Sequence, residues 1–290
     1  MKIQIATHYG MCFGVRDAVR HTQDLAESRP VTVLGELVHN PVVRTKLDAL
    51  GVARGDLNDP GSARTETVVI TAHGAADSAR RDWAAAGHRV FDTTCPLVRK
   101  AHRSLECLVL AGYHPVVIGQ REHVEVRGLT ADFPGAIVVL EAADLVEIPA
   151  GLARIGVVSQ TTQPIAKVEA LIDSIRREHP ASEVRFIDTV CQPTKDRQNA
   201  LDALCRDNDT IVVVGGRNSN NTAQLAETAA ARGCRVFPVE GAADLRPEWF
   251  RDSRRVGITA GTSTLEETVQ AVAERLRQMA MNRGTFAKAV

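Results

Sequence analysis

Short runs rich in valine and isoleucine recur along the chain, at residues 3–6, 31–34, 68–71, 88–91, 115–118, 136–140, 155–159, 184–187, 210–214, 235–239 and 256–259. Most end in a cluster of Gly, Ser, Thr, Asn or His, and amphipathic stretches such as 15–27, 42–50, 76–86, 164–178, 197–207, 222–232 and 265–279 separate them. Strand-length apolar runs alternating with helical periodicity predict parallel sheets with helices on both faces, the α/β class. Eleven such runs are too many for one ordinary doubly wound sheet, so three small α/β modules are the expected architecture.

Three cysteines mark the repeated unit. Cys12, Cys95 and Cys191 each follow an apolar run and precede a helical one, and two share an Asp-Thr-x-Cys approach, Asp92-Thr93-Thr94-Cys95 and Asp188-Thr189-Val190-Cys191. Boundaries at the second and third give modules at 1–94, 95–187 and 188–281, with 282–290, where periodicity fades, as a tail. Residues 56–64, which contain Asn58-Asp59-Pro60-Gly61, read as a surface turn. Thirty-five basic residues balance thirty-five acidic ones, which leaves no electrostatic footprint for nucleic acid or a membrane surface. No run approaches about eighteen uninterrupted apolar residues, and Met1 leads directly into a strand-like segment, so a cytoplasmic protein is expected. In a reducing compartment six cysteines are poor disulfide candidates, and their wide spacing lacks the paired knuckles of a structural zinc site.

Ligands of open α/β sheets bind beyond the carboxyl ends of the strands. Those ends carry Cys12; His39 and Asn40; His73 and Gly74; Cys95; His123 and Glu125; Thr161 and Thr162; Cys191 and Thr194; Ser219, Asn220 and Asn221; and Ser263. Singly, each has an ordinary reading. A cysteine beside a strand is a small hydrophobe, a loop histidine a surface residue, and Ser or Asn before a helix an N-cap. Glu125, among Arg121, Glu122 and Arg127, reads as a solvated charge. Jointly, three modules with a thiol at the same place argue for a shared task. Three thiolates suit several metals: zinc normally takes a fourth ligand or a water and closely spaced cysteines, whereas an iron-sulfur cube on three thiolates leaves one iron open to a substrate oxygen. Cys107, Cys205 and Cys234 read as packing or surface residues.

The chain carries, in order, Gly10-Met11-Cys12-Phe13-Gly14-Val15, Val38-His39-Asn40-Pro41, Ala72-His73-Gly74, Asp92-Thr93-Thr94-Cys95-Pro96-Leu97-Val98 and His123-Val124-Glu125-Val126. Ser159-Gln160-Thr161-Thr162, Asp188-Thr189-Val190-Cys191 with Arg197-Gln198, Gly216-Arg217-Asn218-Ser219-Asn220-Asn221-Thr222 and Thr259-Ala260-Gly261-Thr262-Ser263 follow. Together these resemble the successive motifs of the 4-hydroxy-3-methylbut-2-enyl diphosphate reductases, the IspH or LytB family. The resemblance implies three pseudo-symmetric α/β modules in a cloverleaf around a central 4Fe-4S cluster. It implies reductive removal of the 4-hydroxyl to give isopentenyl and dimethylallyl diphosphate, the last step of the methylerythritol phosphate route to isoprenoids. By the same resemblance Cys12, Cys95 and Cys191 are the cluster ligands, and His39, His73, His123, Ser219, Asn221 and Ser263, with Asn220 between them, bind the diphosphate. Glu125 matches the proton donor, Thr161 or Thr162 the threonine that positions the hydroxyl, and ferredoxin or flavodoxin is the implied electron donor.

Elementary chemistry agrees with those roles. A diphosphate needs several donors, which His, Ser and Asn supply, and an allylic hydroxide leaves poorly unless a nearby acid protonates it. The chain departs from the family in having Val124 where proline is usual, Asn220 where serine is frequent and Leu265 where proline is usual. Those substitutions motivate an alternative, a cluster-bearing paralogue acting on another phosphorylated alcohol. A non-catalytic iron-sulfur redox sensor is a further reading, against which Glu125 and Thr161 count, and a zinc-dependent hydrolase comes last.

Overall fold

The structure, a computed structural model, describes residues 1–38 and 40–286. The chain opens with β1 (Lys2–Ile5) and α1 (Phe13–Ser28). It continues through β2 (Val31–Leu34), α2 (Pro41–Ala49), β3 (Ala53–Gly55), β4 (Thr67–Ile70), α3 (Asp77–Ala85) and β5 (Arg89–Asp92). After α4 (Pro96–Leu110) the succession returns as β6 (His114–Ile118), α5 (Val124–Thr130), β7 (Ile137–Val139), β8 (Arg154–Ser159), α6 (Ile165–Glu178) and β9 (Glu183–Phe186). After α7 (Gln192–Asp207) it returns again as β10 (Thr210–Val214), α8 (Asn220–Ala231), β11 (Arg235–Val239), β12 (Arg255–Ala260) and α9 (Glu266–Phe286).

These strands form three four-stranded sheets, and every pairing within them is parallel. Read from the strand that precedes a cysteine, the orders are β5-β4-β2-β3, β9-β8-β6-β7 and β1-β12-β10-β11. The expected three-sheet α/β architecture is therefore present. Strand β1, grouped by sequence with residues 1–94, instead takes in the third sheet the place that β5 and β9 take in the others, with Lys2 to Ile5 paired in register with Arg255 to Ile258. Hydrophobic periodicity identifies a strand but not its partner, and here the partner lies at the other end of the chain.

Burial explains why the strands read as they do. The inner strands β2, β4 and β10 are buried at every residue, because helices cover both faces, so they appear as unbroken Val/Ile/Thr/Leu runs. The edge strands β1 and β9 alternate between exposed and half-buried residues, and their ends are the partly open positions where Cys12 and Cys191 follow. By internal packing the described residues divide into two compact units, 1–16, 40–42 and 195–286 in one and 17–38 and 43–194 in the other. In the first, Val212, Val214, Ile258 and Ala260 pack one face of the sheet on Val269, Val272, Ala273 and Leu276 of α9. Ile211 and Val213 pack the opposite face on Leu201 and Leu204 of α7 and Leu225 and Ala229 of α8. In the second, Val116, Ile118 and Val157 face α6 while Val117 and Val158 face Leu105 and Leu108 of α4 and Leu129 of α5. Leu34, Val68 and Ile70 close on Trp83, whose Nε1 donates to Leu57 O at 2.7 Å.

Local differences from the sequence reading have simple causes. Strand β3 escapes a hydrophobic scan because its three residues, Ala53, Arg54 and Gly55, form an edge. Helix α9 continues through Phe286, past residue 281 where the apolar period fades, and 287–290 lie outside the described residues. The turn expected at 56–64 is there, with Asp59 accepting from Gly61 N at 2.9 Å over one 3-10 turn at Pro60–Ser62. Among the described residues no helix is long and apolar enough to cross a membrane.

Candidate functional site

Each sheet reverses its strand order once, between β2 and β4, between β6 and β8, and between β10 and β12. Such switch points open a crevice at the carboxyl ends of the two strands. The loops that leave those strands carry nearly all the polar candidates: His73 after β4, His123 and Glu125 after β6, Thr161 and Thr162 after β8, Ser219 after β10 and Ser263 after β12. His39, after β2, lies outside the described residues.

The cysteines stand one strand further toward the edge, held by one device used three times. Cys95 N donates to Ala72 O at 3.0 Å, Cys191 N to Thr161 O at 2.9 Å and Cys12 N to Thr262 O at 3.1 Å. Each acceptor lies two residues beyond the neighbouring strand, β4, β8 or β12, and a helix begins immediately after each cysteine. The Asp-Thr-x-Cys approach is an Asx turn. Asp92 Oδ1 accepts from Thr94 N at 2.9 Å and Asp188 Oδ1 from Val190 N at 3.0 Å. At Cys95 two guanidiniums reinforce it, Arg80 Nε at 3.0 Å and Arg99 Nη2 at 3.1 Å from Asp92 Oδ2. None of the six cysteines is in a disulfide, and these three are half-buried. Among the described residues no three His, Cys, Asp or Glu side chains are grouped to hold a single metal ion.

Within the second unit the acid and its partners are explicit. Glu125 sits in the first turn of α5 and is 2% exposed, so the reading of a solvated charge does not hold. Thr161 donates its backbone N–H to Oε1 at 2.7 Å and its hydroxyl to Oε2 at 3.0 Å. Burial raises the carboxyl from the usual 4.5 to about 7, and the two Thr161 bonds oppose that rise without cancelling it. Thr162, the neighbouring candidate, faces elsewhere and accepts from Gln160 Nε2 at 3.1 Å. His123 caps α5, its Nδ1 accepting from Glu125 N at 3.2 Å, which places the proton of the neutral ring on Nε2. The His73 and His123 rings meet edge to face, 5.6 Å between centroids.

Within the first unit, Ser219 is the N-cap of α8 and accepts from Thr222 N at 3.3 Å. Asn221 Oδ1 accepts from Thr262 N at 3.0 Å, which occupies the acceptor side of its amide and leaves Nδ2 as its donor. Asn220 Nδ2 is buried with no hydrogen-bond partner, an unmet donor in the first turn of a helix, where anions are favoured. Asn40 Nδ2 donates to Ser263 O at 2.6 Å and Asn40 Oδ1 accepts from Val42 N at 2.9 Å, so Asn40 shapes the Ser263 loop. Gly261 has no room for a side chain, because a Cβ there would overlap Thr222 Oγ1. Sequence reasoning named Arg197 without a task. It is 6% exposed and its Nη2 donates to Gly10 O at 2.5 Å; an arginine on an otherwise apolar helix face was the available signal. Cys205 and Cys234 pack together beneath this sheet, Cys234 Sγ donating to Cys205 O at 3.7 Å, and burial with the neighbouring thiol pushes Cys205 up to about 12.

Three parallel sheets, each with a thiol pinned at its edge and polar side chains at its switch point, define a thiol-bearing protein of the open α/β class. The chain belongs to the LytB protein family, whose profile matches residues 3–277. It is 34% identical over 280 residues to the 4-hydroxy-3-methylbut-2-enyl diphosphate reductase of Geotalea uraniireducens (strain Rf4), covering 96% of this chain and 98% of that one. The reductase of the same name from Anaeromyxobacter sp. (strain Fw109-5) is 36% identical over 281 residues, covering 96% and 97%. Among solved structures, the E-1-hydroxy-2-methyl-but-2-enyl-4-diphosphate reductase of Plasmodium falciparum superposes with a TM-score of 0.85 at 26% identity, covering 93% of this chain and 86% of that one. A second, (E)-4-hydroxy-3-methyl-but-2-enyl diphosphate reductase, described as the terminal enzyme of the non-mevalonate pathway, gives 0.69 at 33% identity, covering 96% and 100%.

Proposed function

We propose that the chain reduces 4-hydroxy-3-methylbut-2-enyl diphosphate to isopentenyl and dimethylallyl diphosphate. The balance is one allylic C–O bond broken, one C–H bond formed, two electrons and two protons taken up and one water released. The observation that carries this reading is Glu125: a buried carboxyl raised to about 7 is still protonated in about half of the molecules at neutral pH, and Thr161 holds both its oxygens. Such an acid can deliver a proton to the leaving hydroxyl, which departs as water. Thr161 orients that acid and places its own hydroxyl beside it; Thr162 supports the same loop through Gln160.

His39, His73, His123, Ser219, Asn220, Asn221 and Ser263 are proposed to bind the diphosphate. The Nε2 proton of His123 and the unmet donor of Asn220 suit an anion with many acceptor oxygens. Cys12, Cys95 and Cys191 would hold a 4Fe-4S cluster. Three backbone-pinned thiols outside any disulfide fit it, since a cube takes each thiolate on a separate iron and needs no grouping around one ion. When bound, the cluster supplies the electrons and an open iron that acts as a Lewis acid. One thiol each would come from the divisions 1–94, 95–187 and 188–281. A ferredoxin or flavodoxin in the cytoplasm is the proposed donor.

Anaerobic reconstitution with iron and sulfide tests this. About four irons per chain, and both five-carbon diphosphates from the hydroxylated substrate under a low-potential donor, are expected. A reconstituted protein that binds the cluster but yields neither product refutes the substrate assignment. Glu125→Gln is expected to keep the cluster and lose about a hundredfold or more in turnover; unchanged turnover removes Glu125 from the reaction.

A further inference from the structure

We infer that Arg197 is a positioning residue for Cys12, and the fixed positive charge beside the cluster which that thiol would ligate; this rests on the cluster reading above. The loop from Gly10 to Cys12 has little intrinsic rigidity. It opens on a glycine in the left-handed region, φ 71°, and its outer contacts are two backbone bonds, Gly10 N to Ala260 O at 3.3 Å and Cys12 N to Thr262 O at 3.1 Å. Between these points the Gly10 carbonyl receives the Arg197 guanidinium at 2.5 Å. A Cβ on Gly10 would press on Thr264 O at 3.3 Å, so no side chain stiffens the turn, and Arg197 holds it by binding the carbonyl that the turn presents.

Two physical consequences follow. First, Arg197 acts on Cys12 as outer partners act on metal ligands, fixing the direction of the donor without touching it. Second, the cation is 6% exposed, so neither water nor salt screens it well. It binds the first carbonyl of the loop whose Cys12 would carry negative charge as a cluster ligand. A charge so placed stabilises an added electron and makes the reduction potential less negative.

Lys and Gln substitutions separate the two effects. Arg197→Lys keeps the charge but replaces a planar fork with a single mobile donor; it is expected to lose iron to a chelator about tenfold faster at nearly the wild-type midpoint potential. Arg197→Gln keeps an amide donor without the charge; it is expected to lose iron faster and to need a more negative potential for reduction, read by anaerobic spectroelectrochemical titration. A purely structural arginine would leave the potential unmoved. Equal potentials for Gln and wild type, or equal shifts for Gln and Lys, overturn the electrostatic role. An Arg197→Lys protein that holds iron as wild type does overturns the positioning role, and this arm stands even where the Gln protein fails to fold. Wild-type protein that takes up no iron and sulfide overturns the cluster reading itself, whereas a loaded wild type with unaltered variants overturns the role of Arg197 alone.

Discussion

Glu125 leaves a signature in stability that needs neither substrate nor cluster. Its carboxyl ionises near 4.5 in an ordinary setting and at about 7 in the fold. Below 4.5 both folded and unfolded chains hold the proton and the group is neutral in its effect. As pH rises from there to about 7, the unfolded chain releases the proton while the folded chain retains it, so stability falls. Above 7 both are ionised and the penalty is constant. At ~1.4 kcal/mol per tenfold change in proton affinity, the full penalty is roughly 3 kcal/mol. Glu125→Gln cannot ionise and can still accept from Thr161 N, so it escapes the penalty. Urea unfolding of the metal-free pair at about pH 5 and about pH 8 should therefore show the Gln protein gaining about 2 to 3 kcal/mol on wild type between the two conditions. With a slope of about 2 kcal/mol per molar urea, its midpoint moves up by ~1 M relative to wild type. A stability difference independent of pH, or one that favours Gln more at the acid end, refutes the assignment of a buried, proton-holding carboxyl.

Thr161→Ala removes the hydroxyl that lowers the carboxyl from Oε2, so the Glu125 proton should be released at a higher pH in a carboxyl-region infrared titration, with Thr161→Ser restoring it. Gly261→Ala should destabilise the chain by about 1–3 kcal/mol in denaturant unfolding, because the new methyl meets buried Thr222. Trp83→Phe should cost about 2 to 3 kcal/mol in the same assay, since it strips the 2.7 Å bond from Leu57 O inside a packed cluster. With a thiol-alkylating reagent near neutral pH, exposed Cys107 should be modified well before Cys205, whose thiol is pushed up to about 12; the order is read by peptide mass spectrometry.

The α/β class and the three-sheet division were legible because helices on both faces force the inner strands into continuous apolar runs, and β10 is buried throughout. The thiol positions were legible because an Asx turn writes an Asp three residues before Cys95 and Cys191. Cys12 lacks that signal, since Gly10 makes its turn instead. What periodicity could not supply was long-range pairing. It did not place β1 beside β12, did not show that Asn40 serves the Ser263 loop, and left Glu125 among exposed charges although α5 turns that one carboxylate inward. Nor could it tell that Thr161 rather than Thr162 bonds Glu125, since adjacent identical residues differ only in direction.

The pairing of β1 with β12 also orders events during synthesis. Lys2 to Ile5 leave the ribosome long before Arg255 to Ile258, the backbone partners that complete them. The other two sheets draw all four of their strands from continuous stretches and can close while the chain is still growing. The third cannot. Until residues 260 and 262 emerge, the loop that will be fastened by Ala260 and Thr262 has no acceptors for Gly10 N and Cys12 N. The Cys12 thiol is thus the earliest of the three to be made and the last to be set in place, and for most of translation it rides on an unpaired strand open to oxidants and stray metal ions.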